Sequence, residues 1–263
     1  MDVIVLLKQV PDTETKIKID ADGKSIDTSD IKWIVNPYDE YAVEAALRLQ
    51  ESDGAMVTIL SMGPERAVEA IRTALAMGAD KGVLVDDPAT EGSDALGKAK
   101  VLAAALRSMD FDLVFCGHRA VDDDENQVGI MVAELTGIPH LGMAVSIEVA
   151  DGKARIERPL EGAKVTLEAT MPALVTFGGA HAVWNPRYAS LPGIMKAKKK
   201  PLEQKTLADL GVSPDEVGAQ AAKMQVTSMG LPKERQAGRV LEGDTDEKAK
   251  ELTRLLHEEA KVI

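Results

Sequence analysis

Short apolar runs alternate with Ala- and Leu-rich segments of helical period over the first half of the chain, and this alternation restricts the fold more than any other feature. Asp2 to Leu7 reads as a buried strand. Asn36-Pro37 opens a helix, with Asn as cap and Pro at the first helical position. Ala42, Ala45, Ala46 and Leu49 form its apolar face, and Glu44 and Arg48 make an i,i+4 pair on the outside. Met56 to Met62 is a strand, and Gly63-Pro64 turns it into a helix carrying Val68, Ile71 and Leu75 that stops at Gly78. Val83 to Val85 is a short strand, Ser93 to Arg107 a helix, Phe111 to Cys116 a strand and Ile130 to Leu135 a helix. Strands and helices in strict alternation predict an α/β fold, a Rossmann-like parallel sheet covered on both faces.

After Gly137-Ile138-Pro139 the pattern changes. Val145 to Val149, the turn Asp151-Gly152 and Ala154 to Arg158 predict a β-hairpin insertion, which Val165 to Ala169 continues. Pro172 to Phe177 is one more buried strand. From Pro186 onward no core strand is evident. Two units are expected: an α/β domain over 1–185, and a C-terminal arm over 186–263. The arm ends in a helix with Ala249, Leu252, Leu256 and Ala260 on one face, which needs a surface to cover it. With 45% hydrophobic but only 3% aromatic residues, the core must be built of aliphatic side chains.

In a parallel sheet, the polar strand-to-helix junctions gather at one edge, where ligands bind. Four such junctions stand out: Lys8 to Asp12, Asn36-Pro37, Ser61 to Gly63, and above all Gly117 to Gly129. The last is rich in Gly, Asp and Asn and opens a helix whose N–H groups can hold a phosphate. Asn126 and Gln127 add amide donors and acceptors, and Asp122 can accept from a ribose hydroxyl. Together these junctions could enclose a nucleotide; ordinary turns and caps account for the same residues.

Several chemistries find no support. There is neither a Gly-x-Gly-x-x-Gly after the first strand nor a Gly-Lys-Ser/Thr phosphate loop. His118, His140, His181 and His257 lack metal-ligand spacing, and the single Cys116 reads as a buried hydrophobe in a reducing compartment. Asp122, Asp123 and Asp124 could hold a divalent ion, but a solvated turn explains them more simply. A net charge of −12 argues against nucleic acid as a partner. Neither a membrane-length apolar run nor a targeting segment is evident, which predicts a cytoplasmic protein (mitochondrial matrix in a eukaryote) with no direct membrane insertion. Pro186 to Met195 places Leu191 among turn-forming residues, followed by Lys196, Lys198, Lys199 and Lys200. An exposed apolar tip beside a basic run suits docking to an acidic partner, while a solvated linker reads equally well.

The chain resembles the β subunit of electron transfer flavoprotein along essentially its whole length. The resemblance rests on Lys8-Gln9-Val10-Pro11-Asp12, Asn36-Pro37-Tyr38, Ile71 to Asp80, Ala120 to Asp124 with Asn126-Gln127, and Pro186 to Lys200. It implies a fold of the adenine-nucleotide α-hydrolase type and a heterodimer whose α subunit carries a redox-active FAD. It further implies one structural AMP in this chain, held largely by backbone at Leu6, Asn36, Pro37, Tyr38, Asp39, Met62, Gly117, His118, Arg119, Ala120, Val121, Asp122, Asp123, Asp124, Glu125, Asn126, Gln127 and Val128.

No bond chemistry is implied. The resemblance implies that electrons pass from acyl-CoA-type dehydrogenases to a quinone-linked oxidoreductase, that Leu191 anchors the dehydrogenase with the lysines nearby, and that the last helix packs on the α subunit. Burial of one Leu supplies about 1.5–3 kcal/mol, suited to a transient dock. Relatives that bifurcate electrons bind a second FAD in place of AMP, oxidise NADH, and carry Asp-Gly-Asp-Thr-x-Gln-Val-Gly in this loop. Here Asp123 and Glu125 replace that Gly and Thr, and Asn126 precedes Gln127, all favouring AMP. Asp123 lacks the freedom Gly has for close backbone approach. Val128-Gly129 agrees with the FAD type. A third alternative, an ATP-binding and ATP-hydrolysing domain of the same fold, lacks its glycine-rich loop after the first strand.

Overall fold

The computed structural model describes residues 1–178, 182–233 and 237–263; His181 lies outside them. In chain order the first half runs β1 (Asp2–Leu6), β2 (Gln9–Pro11), β3 (Trp33–Val35), α1 (Pro37–Asp53), β4 (Met56–Met62), α2 (Val68–Met77), β5 (Lys81–Val85), α3 (Ala95–Arg107), β6 (Leu113–Gly117) and α4 (Val128–Thr136). The second half runs β7 (His140–Ala144), β8 (Ser146–Ala150), β9 (Lys153–Leu160), β10 (Ala163–Thr170), β11 (Ala173–Phe177), α5 (Leu191–Ala197), β12 (Leu202–Lys205), α6 (Gly218–Ala221) and α7 (Thr245–Glu258).

Seven strands form one sheet in the order β12-β5-β4-β1-β6-β11-β7, and every neighbouring pair is parallel. Side chains of a strand alternate between faces. Val3 and Val5 of β1 therefore point to one side with Val57, Ile59 and Phe115, beneath α1 and α2. Ile4 and Leu6 point to the other with Leu60, Val114 and Cys116, beneath α3 and α4. Both faces are buried, which is why the central strands read as unbroken apolar runs. The few aromatics cluster on the α1 side, where Phe115 and Phe177 meet edge to face at 5.1 Å.

The insertion is a three-stranded antiparallel sheet, β10-β9-β8. Ala154 and Ile156 of β9 turn inward onto the core, and Lys153 and Arg155 turn outward to Glu168.

Three elements depart from the expected layout. Residues 186–263 do supply a sheet strand: β12 pairs with β5 from Leu202↔Gly82 to Lys205↔Val85. It is short, at the edge, and half polar in sequence, so no apolar run announces it. His140 to Ala144 forms the opposite edge strand. Leu191 is the first residue of α5 rather than a turn residue, with Ser190 Oγ accepting the Gly193 amide at 3.1 Å. Glu44 is also not on the outside. It is 2% exposed, and besides Arg48 at 3.0 Å it receives Arg187 Nε at 2.7 Å.

Candidate functional site

The chain leaves β1 toward β4 and β5 on one side, then returns to β6 on the other. This reversal opens a crevice beyond the carboxyl ends of β1 and β6, the place where open α/β sheets bind ligands. A cleft lies there, partly open to solvent and walled mainly by apolar atoms, with a few convergent polar groups as ligand sites have. Its apolar wall is Leu6, Leu60, Met62 and Leu102, and its rim is the segment 117–129.

Two buried polar residues at the start of α1 hold the cleft in shape. Asp39 Oδ2 accepts the Lys8 amide and Oδ1 accepts the Gly117 amide, both at 2.8 Å, tying the ends of β1 and β6 to one carboxyl group. Burial pushes the Asp39 carboxyl up to about 7, against the pull of those two donors. Asn36 Nδ2 donates to the Arg119 carbonyl at 2.9 Å, and Oδ1 accepts the Val121 amide at 3.2 Å. Asn36 thus occupies the cap position of α1, but its side chain makes no capping bond and fastens the rim instead. Pro37 stands at the first helical position as expected.

The rim ends in an open helix terminus. Asp124 and Asn126 are in the left-handed region, with φ 54° and 52°, and bend the chain into α4. Gln127 at the cap position makes no side-chain cap to α4. Val128 and Gly129, the first residues of α4, face the cleft. The first-turn N–H groups of a helix lack intrahelical partners and carry its positive dipole end, so this terminus can receive one anionic group.

Charges line the same rim. Lys8 Nζ lies 2.8 Å from Asp122 and 2.7 Å from Asp123. Burial works to lower the Lys8 pKa, but the two carboxylates outweigh it and hold it above the ordinary value. Lys98 of α3 lies 3.4 Å from Asp123 and 3.6 Å from Glu125. Arg119 reaches outward to Asp124 at 3.1 Å and to the Tyr38 hydroxyl at 2.9 Å. The three consecutive aspartates therefore pair with cations of the chain itself.

Of the expected site residues, Leu6, Asn36, Asp39, Met62, Gly117, His118, Arg119, Ala120, Asp123, Glu125, Asn126, Gln127 and Val128 line the cleft. Pro37, Tyr38, Val121, Asp122 and Asp124 do not; Val121 and Asp122 line a neighbouring cleft, and the Asp124 side chain is largely exposed. The His118 ring packs edge-on to Tyr38 at 4.4 Å, its Nδ1 lies 3.0 Å from the Phe177 carbonyl, and burial lowers its pKa. Lys98, Leu102 and Cys116 also line the cleft. Of these only Lys98 carries a charge, and its place in the first turns of the helix after β5 was the available signal. Cys116 is buried, which pushes its thiol up.

Two sequence arguments about cofactor choice change. Asp123 is not among the left-handed positions, which fall on Asp124 and Asn126, so the backbone at 123 does not call for glycine. Gly129 has a packing reason of its own. A Cβ there would lie 2.8 Å from Cys116 Sγ and 3.2 Å from Thr176 Cγ2, so glycine lets α4 approach β6 and β11 whatever the cleft holds.

The basic segment is divided in the same way. Leu191 is 76% exposed, beside exposed Tyr188, Ile194 and Met195. Lys196, Lys198 and Lys199 are exposed. Lys200 is not free for docking: its ammonium donates to the carbonyls of Leu75, Gly78 and Ala79 at 3.0, 3.0 and 2.6 Å, closing the C-terminus of α2. Arg72 donates to the Ala197 and Lys200 carbonyls at 2.6 and 2.8 Å, and α5 is thereby pinned to α2.

Residues 24–210 match the model of the electron transfer flavoprotein domain. The chain is 42% identical over 264 residues to the electron transfer flavoprotein subunit beta of Bacillus subtilis (strain 168), covering 100% of both chains. It is 37% identical over 258 residues to the subunit of the same name from Thermoanaerobacterium thermosaccharolyticum, covering 98% of each. It is 39% identical over 251 residues to that of Mus musculus, covering 94% of this chain and 95% of the other. Domain match and full-length likeness agree with the parallel sheet and its switch-point cleft, and the chain belongs to the electron transfer flavoprotein family as a β subunit.

Proposed function

We propose that this β subunit pairs with an FAD-bearing α subunit to form an electron carrier, and that its cleft holds AMP as a structural ligand. The observation that carries the cleft reading is the convergence of Leu6, Met62, Asn126 and Gln127 on one crevice that ends at the open terminus of α4. The apolar wall suits a purine, and the terminus suits a single phosphate. No group in the cleft is arranged as a nucleophile with its base, in keeping with a ligand that is held and not transformed. Electrons would enter from acyl-CoA-type dehydrogenases docked at Leu191 and leave to a quinone-linked acceptor.

The amides after β1, which a triphosphate-cleaving relative of this fold would turn onto phosphates, have other duties here. The Lys8 amide goes to Asp39, the stretch Gln9 to Pro11 is engaged as β2 against β3, and Pro11 has no N–H to offer. This counts against the ATP-hydrolysing alternative.

Co-purification with the α subunit, followed by acid release and chromatography of the nucleotides, tests the proposal. One FAD and one AMP per heterodimer is the expected result. Two FAD and no AMP would favour the bifurcating alternative, in which the second FAD occupies the cleft.

A further inference from the structure

Glu44 of α1 has more partners than a pair on one helix requires. Its Oε1 accepts Arg48 Nε and Arg187 Nη2, both at 3.0 Å. Its Oε2 accepts Arg187 Nε at 2.7 Å and the Arg187 backbone amide at 3.2 Å. Four donors fill the acceptor capacity of one carboxylate. Glu51, further along α1, takes the other side of the same guanidinium at 2.5 Å. Arg48 in turn stands 5.3 Å from the ring centre of Trp184, which packs on Phe177 of β11.

A buried ion pair is a poor source of stability, because desolvation offsets most of its attraction. What a two-pronged Arg–carboxylate contact adds is fixed geometry, and the bond to the Arg187 amide fixes the main chain as well as the side chain. Arg187 is the entrance to the segment that carries Leu191. Among the described residues, the hydrogen bonds of 188–196 stay within that segment, and Tyr188 is 97% exposed. Arg72 holds only the far end, at the carbonyls of Ala197 and Lys200. Leu191, the first residue of α5, is nearer in sequence to Arg187 than to Ala197. We infer that Glu44 is a positioning residue for partner docking: through Arg187 it fixes the entrance of the segment and so the direction in which Leu191 is presented. The inference rests on the reading of Leu191 as the dehydrogenase anchor. Glu44 is buried and reaches no partner itself. Without this clamp α5 stays attached at its far end while its first turn samples several orientations. Apparent affinity then falls by the fraction of chains that hold the competent one, and electron transfer within the docked complex is unaltered.

The test uses the full chain purified with its α subunit, and an acyl-CoA dehydrogenase reduced by its acyl-CoA as electron donor. Transfer is followed against heterodimer concentration. Arg187→Leu and Glu44→Gln should each raise KM for the heterodimer roughly tenfold, with kcat, FAD content and flavin midpoint potential unchanged. Arg187→Leu leaves Glu44 paired with Arg48, so the test stands even if Glu44→Gln fails to fold. Arg187→Lys keeps the charge but not the two-pronged contact, and its KM should fall between those of wild type and Arg187→Leu. Hydrogen exchange should quicken at amides 188–193 and stay as in wild type in α1. Because the clamp acts through Leu191, Arg187→Leu combined with Leu191→Ala should transfer no more slowly than Leu191→Ala alone. A wild-type KM in Arg187→Leu while Leu191→Ala raises it, or losses that multiply in the double variant, overturns the clamp alone. A wild-type KM in Leu191→Ala overturns the anchor reading beneath it.

Discussion

Asp39 is the residue on which the cleft turns. One carboxyl group receives the amides of Lys8, just beyond β1, and of Gly117, at the end of β6, and so ties the two paired strands together beyond their last register pair, Val5↔Phe115. Asn in its place would set a second donor against one of those amides, at a cost of about 1–3 kcal/mol for a buried donor left unpaired. The titration gives a distinct signature. The folded-state value, about 7, lies above the ordinary carboxylate value. Between about pH 4 and 7 the folded chain therefore holds a proton that the unfolded chain has released. Stability from this residue is fully present at the acid end of the window and is lost as pH rises to about 7. Asp39→Asn removes the effect, so the stability gap between wild type and variant should narrow from pH 4 to 7 and stay flat above. Denaturant melts of both proteins at each pH would measure this, and a gap that widens across that window would contradict the assignment.

At the scale of elements, α5 is the clearest case of a segment positioned by its neighbours. It has seven residues and buries only Ala197, too little to hold a helix on its own. Arg72 of α2 and Lys200 just beyond α5 supply the missing contacts, and Gly193 lies so close to α2 that a Cβ would stand 2.3 Å from the Ala76 carbonyl oxygen. Two substitutions should therefore separate presentation from contact. Leu191→Ala removes an exposed side chain, so thermal stability and FAD content stay unchanged while electron transfer from the dehydrogenase slows by roughly ten- to a hundredfold. Gly193→Ala forces α5 away from α2, so it lowers the melting midpoint and slows transfer together. Equal transfer rates in wild type and Leu191→Ala would refute the anchor role. Lys200→Met, which leaves three carbonyls without their donor, should cost about 1 kcal/mol of stability, and normal transfer by that variant would confirm that Lys200 belongs to the scaffold.

The same elements show what a sequence can convey. The alternation that gives β1, β4, β5, β6 and β11 is legible because strands buried on both faces need apolar residues at every position. The edge strands β7 and β12 carry half-polar sequences and are held by pairing with β11 and β5. Segment 117–129 was legible as a loop at the carboxyl edge of the sheet from its Gly, Asp and Asn content, and it lines the cleft there. The outward duty of Arg119 and the contribution of Lys98 were not, because both depend on packing between elements far apart in sequence. Glu44 misled for a related reason. Its i,i+4 partner suggests solvent, but a second partner, Arg187, arrives from 143 residues away and allows burial.

For the molecule as a whole, the question is what the C-terminal helix is for. α7 is well specified locally: Asp244 and Glu247 form a reciprocal capping box. Arg254 joins Glu251 and Glu258 along its polar side. It nevertheless buries no residue, and Leu252 is half exposed. A helix of 14 residues is marginal in water without tertiary support, and among the described residues none buries a side chain of this amphipathic helix. No described helix is long and apolar enough to cross a membrane, and under the proposed function the covering surface is the α subunit. Truncation after Glu242 should then leave the α/β domain folded, with its cleft and α5 intact, because among the described residues no hydrogen bond or ion pair of α7 reaches the cleft or α5. Co-expression would yield little or no heterodimer, and the truncated chain would lose its share of the α-subunit FAD on gel filtration. A milder variant, Leu252→Asp with Leu256→Asp, keeps the helix and its cap but charges the apolar face, and should weaken assembly by at least a hundredfold if each Leu is buried in the interface. A heterodimer of normal stability in both variants would show that the arm serves some other surface.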